Sequence, residues 1–164
     1  MLMKPTKRSI TRAAFVVLLL GAAVPAWAGS KSADDAAQRG DYDTALREYR
    51  ALAKVGNPHA EYNIGVMYDL GTGVEQDRTE AVIWYRKAAN QGHENAQFNL
   101  GFLYANGDGV SQELVLAYKW LELAAIQGHP EAAEQRDAVG DLLTPEQLAG
   151  ARKLLEQWIE TYTK

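Results

Sequence analysis

Residues 60–93 read AEYNIGVMYDLGTGVEQDRTEAVIWYRKAANQGH, and residues 96–129 read AQFNLGFLYANGDGVSQELVLAYKWLELAAIQGH. Fixed residues recur at a spacing of 36: Ala60 and Ala96, Gly65 and Gly101, Tyr68 and Tyr104, Gly73 and Gly109, Trp84 and Trp120, Gly92 and Gly128. A constant period of tens of residues marks a stacked repeat array, in which each unit buries its apolar face against its neighbours.

Each copy divides into two helices. Ala60, Ile64 and Tyr68 lie four apart with Gly65 on the same side, which predicts a helix over 58–70. Gly71-Thr72-Gly73 ends it, because glycine tolerates the left-handed backbone of a helix exit. Asp77 and Glu80 have capping-box spacing, and Ala81, Trp84, Tyr85, Ala88 and Ala89 then form one apolar stripe. The second copy repeats the scheme with Ala96, Leu100, Gly101 and Tyr104, then Ala117, Trp120, Leu121, Ala124 and Ala125. Small residues facing large aromatic ones predict closely approaching helices. Neither hairpin can bury its own stripe, so stacking stabilises the array.

The pattern A-x3-[LI]-G-x2-Y-x2-G-x-G-V followed by A-x2-W-[YL]-x2-A-A-x2-G resembles the Sel1-like repeat (SLR), a 36-residue relative of the tetratricopeptide repeat found in secreted bacterial proteins. Two full units cover residues 60–129. The resemblance implies an all-α fold, a right-handed α-solenoid of antiparallel helix hairpins. Departures are small: Glu113 stands where the first copy has Asp77, predicting a poorer cap, and Leu121 replaces Tyr85.

The flanks keep the register. Ala45, Tyr49, Ala53 and Gly56 sit one period before Ala81, Tyr85, Ala89 and Gly92, so 42–55 is the second helix of a preceding unit whose first helix covers about 31–39. Downstream, Ala132 matches Ala96, but Asp137 and Gly140 replace the Gly and Tyr of the frame. Thr144-Pro145-Glu146-Gln147 opens a last helix that packs through Leu148, Ala151, Leu155, Trp158 and Ile159. The expected domain is residues 29–164: a degenerate repeat (30–56), two full repeats (57–92 and 93–128) and a capping repeat (129–164). Eight helices in four hairpins result.

The first 28 residues have the form of an export signal. Lys4, Lys7, Arg8 and Arg12 precede an apolar run from Ala13 to Val24, and Ala26-Trp27-Ala28 offers small residues for cleavage after Ala28. The apolar run is too short to span a bilayer, which needs about 20 residues. A periplasmic or secreted location follows as an expectation, with no stable membrane insertion of the mature chain. Removing four of the 17 basic residues leaves 13 against 21 acidic ones, a net charge of −8. That argues against nucleic acid, whose binding depends on cations neutralising phosphates. With no Cys, disulfides, thiolate metal sites and Cys nucleophiles are excluded.

No catalytic pattern appears. His93 and His129 occupy equivalent places just after a helix-ending Gly, and His59 another; all three read as polar groups near helix starts. Gly107-Asp108-Gly109 lacks the spaced ligands of a calcium loop. Ser is scarce in the mature chain, and neither Ser-x-x-Lys nor Gly-x-Ser-x-Gly occurs. No metal or cofactor is expected. By the family resemblance, the first helix of each hairpin lines a concave face. Tyr62, Val66 and Asp69, with Leu70, and Phe98, Phe102 and Asn106 then project into the groove, continued by Glu134, Ala138 and Asp141. Surplus aromatics there suit binding hot spots; packing within the stack is the competing reading. The expected function is a non-enzymatic protein-interaction adaptor of the bacterial cell envelope, holding a peptide or helix of a partner. The alternatives are an enzyme acting on cell wall or β-lactams and a structural subunit of an envelope complex.

Overall fold

The computed structural model describes residues 26–162, with side chains from Ser30 onward in the first helix. Eight α-helices occur among them: α1 Ala26–Gln38, α2 Tyr42–Ala53, α3 Pro58–Leu70, α4 Arg78–Asn90, α5 Glu94–Asn106, α6 Leu114–Gln127, α7 Ala132–Gly140 and α8 Pro145–Tyr162. The export-signal reading falls mainly on residues outside this range. Helix α1 begins earlier than the sequence pattern predicts and includes Ala28.

The helices pack in chain order, α1 with α2, α3 with α4 and α5 with α6, each second helix also packing on the next first helix. First helices also approach one another, α1 with α3 and α5 with α7, while α2, α4 and α6 make no comparable mutual contact. By the family resemblance, this is the side of the inner curve. The predicted caps are present: the Asp77 side chain accepts from the Glu80 amide, and Thr144 and Gln147 cap each other's amides. Glu113 makes no capping bond, as its substitution for Asp predicts.

The repeat frame explains the packing. Ala60, Ile64, Gly65, Ala81 and Ala88, with Ala96, Leu100, Gly101, Tyr104, Ala117, Trp120 and Ala124, are all buried, while Tyr68 and Trp84 are partly so. A Cβ at residue 65 would lie 2.6 Å from the Tyr85 ring, and one at residue 101 would lie 2.8 Å from Leu121. Each hairpin closes on a residue without a side chain. Gly73 and Gly109, though exposed, have left-handed φ values of 72° and 68°. Their backbones rest on Tyr42 and Arg78, the equivalent first residues of the preceding second helices, where a Cβ would run into the neighbour. The Gly-x-Gly-Val loop is thus a spacer between units as well as a helix exit.

The C-terminal unit departs from the expected four hairpins. Helix α8 packs principally on α6, not back on α7. Asp137 occupies the place of Gly65 and Gly101, and the residue one period after Leu121 is Gln157, so the close-approach contact is lost. Leu155, Trp158 and Ile159 instead join the main core, with Trp158 edge-on to Trp120 at 6.4 Å. The Trp-aliphatic pair of the second-helix motif survives, displaced by two residues.

These contacts separate two roles of glycine. Gly92→Ala, at φ 85° with open space around it, is expected to cost about 1 kcal/mol from backbone strain alone. Gly109→Ala adds steric conflict between units and is expected to cost about 3 kcal/mol. Urea unfolding of both variants measures the difference; equal losses would show that the loop does not space the units.

Candidate functional site

The inner face is built from the first helices, and much of it is occupied by contacts between units. Asn57, His93 and His129 stand one period apart. The Asn57 side chain caps α3 by accepting from the Ala60 amide at 3.0 Å, and His93 Nδ1 caps α5 by accepting from Ala96 at 3.3 Å. His129 Nδ1 accepts from the Glu131 amide at 3.3 Å. The two imidazoles also carry rings. Tyr62 stacks on His93 with centroids 4.6 Å apart, and Phe98 stacks on His129 at 4.0 Å. The sequence reading treated Tyr62 and Phe98 as surplus aromatics. They are half-buried, and each couples its helix to the turn that opens the next unit.

Other predicted groove residues are also engaged. Val66 packs against the main core. Asp69 Oδ1 accepts from Arg78 Nε at 3.3 Å and Oδ2 from the Tyr85 hydroxyl at 3.3 Å, so it ties the end of α3 to α4. What stands free is a short ladder at the C-terminal ends of the first helices. Phe102 is 43% exposed, Leu70 67% and Leu142 68%. Leu70, Asn106 and Leu142 share one repeat position. Phe102, Asn106, Ala138 and Leu142 meet around a cleft of about 170 Å³ between α5 and α7, floored by Leu121 and Val139.

Polar repeat positions missed by the sequence reading hold the units in register. Arg50 donates to the Tyr68 hydroxyl at 3.0 Å, and one period later Arg86 donates to that of Tyr104 at 2.7 Å. At the third junction Glu122 replaces the Arg and accepts from Arg136 at 2.6 Å. Glu61 and Gln97, one period apart, are both buried. Glu61 accepts from Gln91 at 2.6 Å and Gln97 from Gln127 at 2.7 Å, while Gln97 also donates to the Ala89 carbonyl at 3.1 Å. A polar residue beside the apolar stripe at the same place in both copies was the signal that could have found them.

The titratable groups follow these roles. Burial, then the nearby His59 ring, holds His93 at a pKa of about 4. Burial raises the Glu61 carboxyl, opposed by the Gln91 bond and by Lys87. Burial would also raise the Asp34 carboxyl, but hydrogen bonds from Tyr49 at 2.6 Å and His59 at 3.0 Å hold it below the usual range. That group ties α1 to α2 and α3. Among the described residues no group of three His, Asp or Glu side chains converges to hold a metal ion.

Residues 58–93 and 95–129 match the family model described as Sel1 repeat. The chain is similar to a protective antigen of uropathogenic Escherichia coli strains displaying an SLR fold, with 33% identity and a TM-score of 0.77 over 84% of this chain and 30% of that one. A Sel1 repeat protein from Oxalobacter formigenes is 37% identical, with a TM-score of 0.62 over 65% of this chain and 44% of that one. The Helicobacter pylori cysteine rich protein B, at 18% identity and a TM-score of 0.53, shares the fold over 64% of this chain and 95% of its own. The chain thus spans less than half the length of the first two. No curated protein matches the chain significantly.

The His93 geometry has a pH signature. Its pKa is about 4 in the folded chain against about 6.5 unfolded, so the stability it supports is present above pH 6.5. That stability is lost as pH falls towards 4, by up to about 3 kcal/mol. His93→Asn restores the cap used by Asn57 and removes the titration. It is expected to lose about 1 kcal/mol of ring stacking at neutral pH and to flatten this limb in thermal melts. An unchanged limb would assign the acid sensitivity elsewhere. Glu61 has the opposite sign, its stability being lost as pH rises through a raised pKa. Glu61→Gln is accordingly expected to raise Tm by a few degrees at neutral pH, corresponding to about 1 kcal/mol, with no gain in strong acid.

Proposed function

This chain is a Sel1 repeat protein, and on that premise we propose that it is an exported, non-enzymatic adaptor of the bacterial cell envelope that holds a segment of a partner protein along its inner face. Sel1 repeats typically serve as protein–protein interaction modules. The observation that carries the reading to this face is the exposed ladder of Leu70, Phe102 and Leu142, on the first helices or just beyond their C-terminal ends. Exposed large apolar side chains near the ends of successive first helices suit an extended or helical partner. The neighbouring polar groups already have structural roles: the histidines cap and stack, Asp69 ties α3 to α4, and Glu61 is paired. That favours recognition over reaction chemistry.

Export is supported by the leader itself, with its basic residues from Lys4 to Arg12, the apolar run to Val24 and the Ala26-Trp27-Ala28 site. No helix among the described residues is long and apolar enough to cross a membrane. The Tyr62 and Phe98 rings contribute by holding the inner face in shape, while Phe102 and Asn106 form its contact surface.

Capture from an envelope extract tests both parts. Wild-type protein is expected to retain a partner that the Leu70→Ala/Phe102→Ala/Leu142→Ala variant releases, with circular dichroism unchanged because all three side chains are exposed. N-terminal sequencing of the protein recovered from the periplasm or medium is expected to begin at Gly29. Equal capture by both proteins would remove the inner face from the interaction, and an intact N-terminus would remove the export step.

A further inference from the structure

The cleft between α5 and α7 differs from the rest of the inner face because the repeat changes there. Ala138 stands one period after Phe102, and Glu134 one period after Phe98. The substitution at 138 removes a phenyl ring from a position the preceding unit fills. The resulting space of about 170 Å³ is close to that of apolar cavities that accept a benzene ring, roughly 150 Å³. Phe102, Ala138 and Leu142 wall it above a floor of Leu121 and Val139, so a guest meets apolar surface on several sides, with Asn106 and Gln135 as its polar edge.

The rim is acidic. Glu134 and Asp141 lie on either side of Ala138 in sequence, both exposed and neither in an ion pair. The nearest cation on α7, Arg136, is consumed by Glu122 and Asp137, each at 2.6 Å. Helices α5 and α7 both end beside the cleft, at Asn106 and Gly140. Their C-terminal carbonyls add a field that favours positive charge.

Resting on the interaction reading above, we propose that this cleft is the anchor site of the inner face. It takes one large apolar side chain, Trp, Phe or Leu, of a partner peptide that carries Lys or Arg within one or two residues. The anchor fills the space left by Ala138, and the flanking cation lies between Glu134 and Asp141.

Fluorescence polarisation with short synthetic peptides, varying the central residue (Trp, Leu or Ala) and its flanks (Lys, Ser or Glu), tests this on the purified full chain. Trp- or Leu-centred peptides with Lys flanks are expected to bind at least about tenfold more tightly than Ala-centred or Glu-flanked ones, and to weaken with added salt. Ala138→Phe, which restores the residue of the preceding unit, is expected to abolish this binding with helicity and Tm retained. Phe102→Ala, at an exposed position, provides a second variant should the first misfold. Glu134→Lys/Asp141→Lys is expected to invert the flank preference. Binding indifferent to the central residue, or unchanged in Ala138→Phe and Phe102→Ala, overturns the proposal. So does a concentration-dependent dimer in sedimentation that Ala138→Phe abolishes, since the occupant would then be a second copy. Failure of the cleft proposal alone leaves partner capture by the Ala138→Phe protein intact, whereas failure of the interaction reading leaves the wild type without a partner.

Discussion

The whole array depends on how near two helices can come. With no side chain at Gly65, α3 lies against the ring of Tyr85, and Gly101 gives α5 the same proximity to Leu121. Around these contacts Ala60, Ala81, Ala88, Ala96, Ala117 and Ala124 are fully buried, so the hairpin interior is made of small residues and one large one. Packing of this kind is intolerant of added volume, because a close-packed interior has no room to absorb it. Where Asp137 replaces the glycine, α8 leaves its partner and lies on α6 instead. The same contact thus accounts for the regular units and for the irregular end.

Stacking the hairpins requires a second set of interactions, and these are polar or aromatic. Arg50 with Tyr68 and Arg86 with Tyr104 clamp one unit to the next. Tyr62 on His93 and Phe98 on His129 couple each helix to the following turn. Tyr68 touches both hydrophobic clusters of the described residues, one built on α1 to α3 and the other on α4 to α8. Division of labour follows: apolar contacts close each hairpin, while directional contacts fix the rotation of one hairpin on the next.

This division explains what could be read in the sequence. Periodicity identifies equivalent positions, so the helices, the Asp77 and Thr144 caps and the buried stripe were all legible, as was the weak start at Glu113. Periodicity does not say which positions touch. Tyr62 and Phe98 therefore looked surplus, although their constant separation of 31 residues from His93 and His129 marks a repeated contact. The Phe102 cleft was only partly legible, since Phe102, Asn106 and Ala138 were placed on the face but the contribution of Leu142 was not. The displaced α8 was hidden because Thr144 and Gln147 announce a helix without saying what it packs against.

The junctions also set rules for how the chain can lengthen. The first two full-unit boundaries use the same Arg–Tyr clamp, so a duplicated copy of residues 57–92 would present Tyr to the unit before it and Arg to the unit after. The final boundary uses Glu122 with Arg136, a coupling whose polarity is reversed. A unit ending in Arg86 meets the wrong charge at Arg136, and one ending in Glu122 offers a carboxylate to the next Tyr. Insertions are accommodated upstream, while α7 and α8 keep their place after α6. The array can thus gain units during evolution without changing how α6 meets α7 and α8.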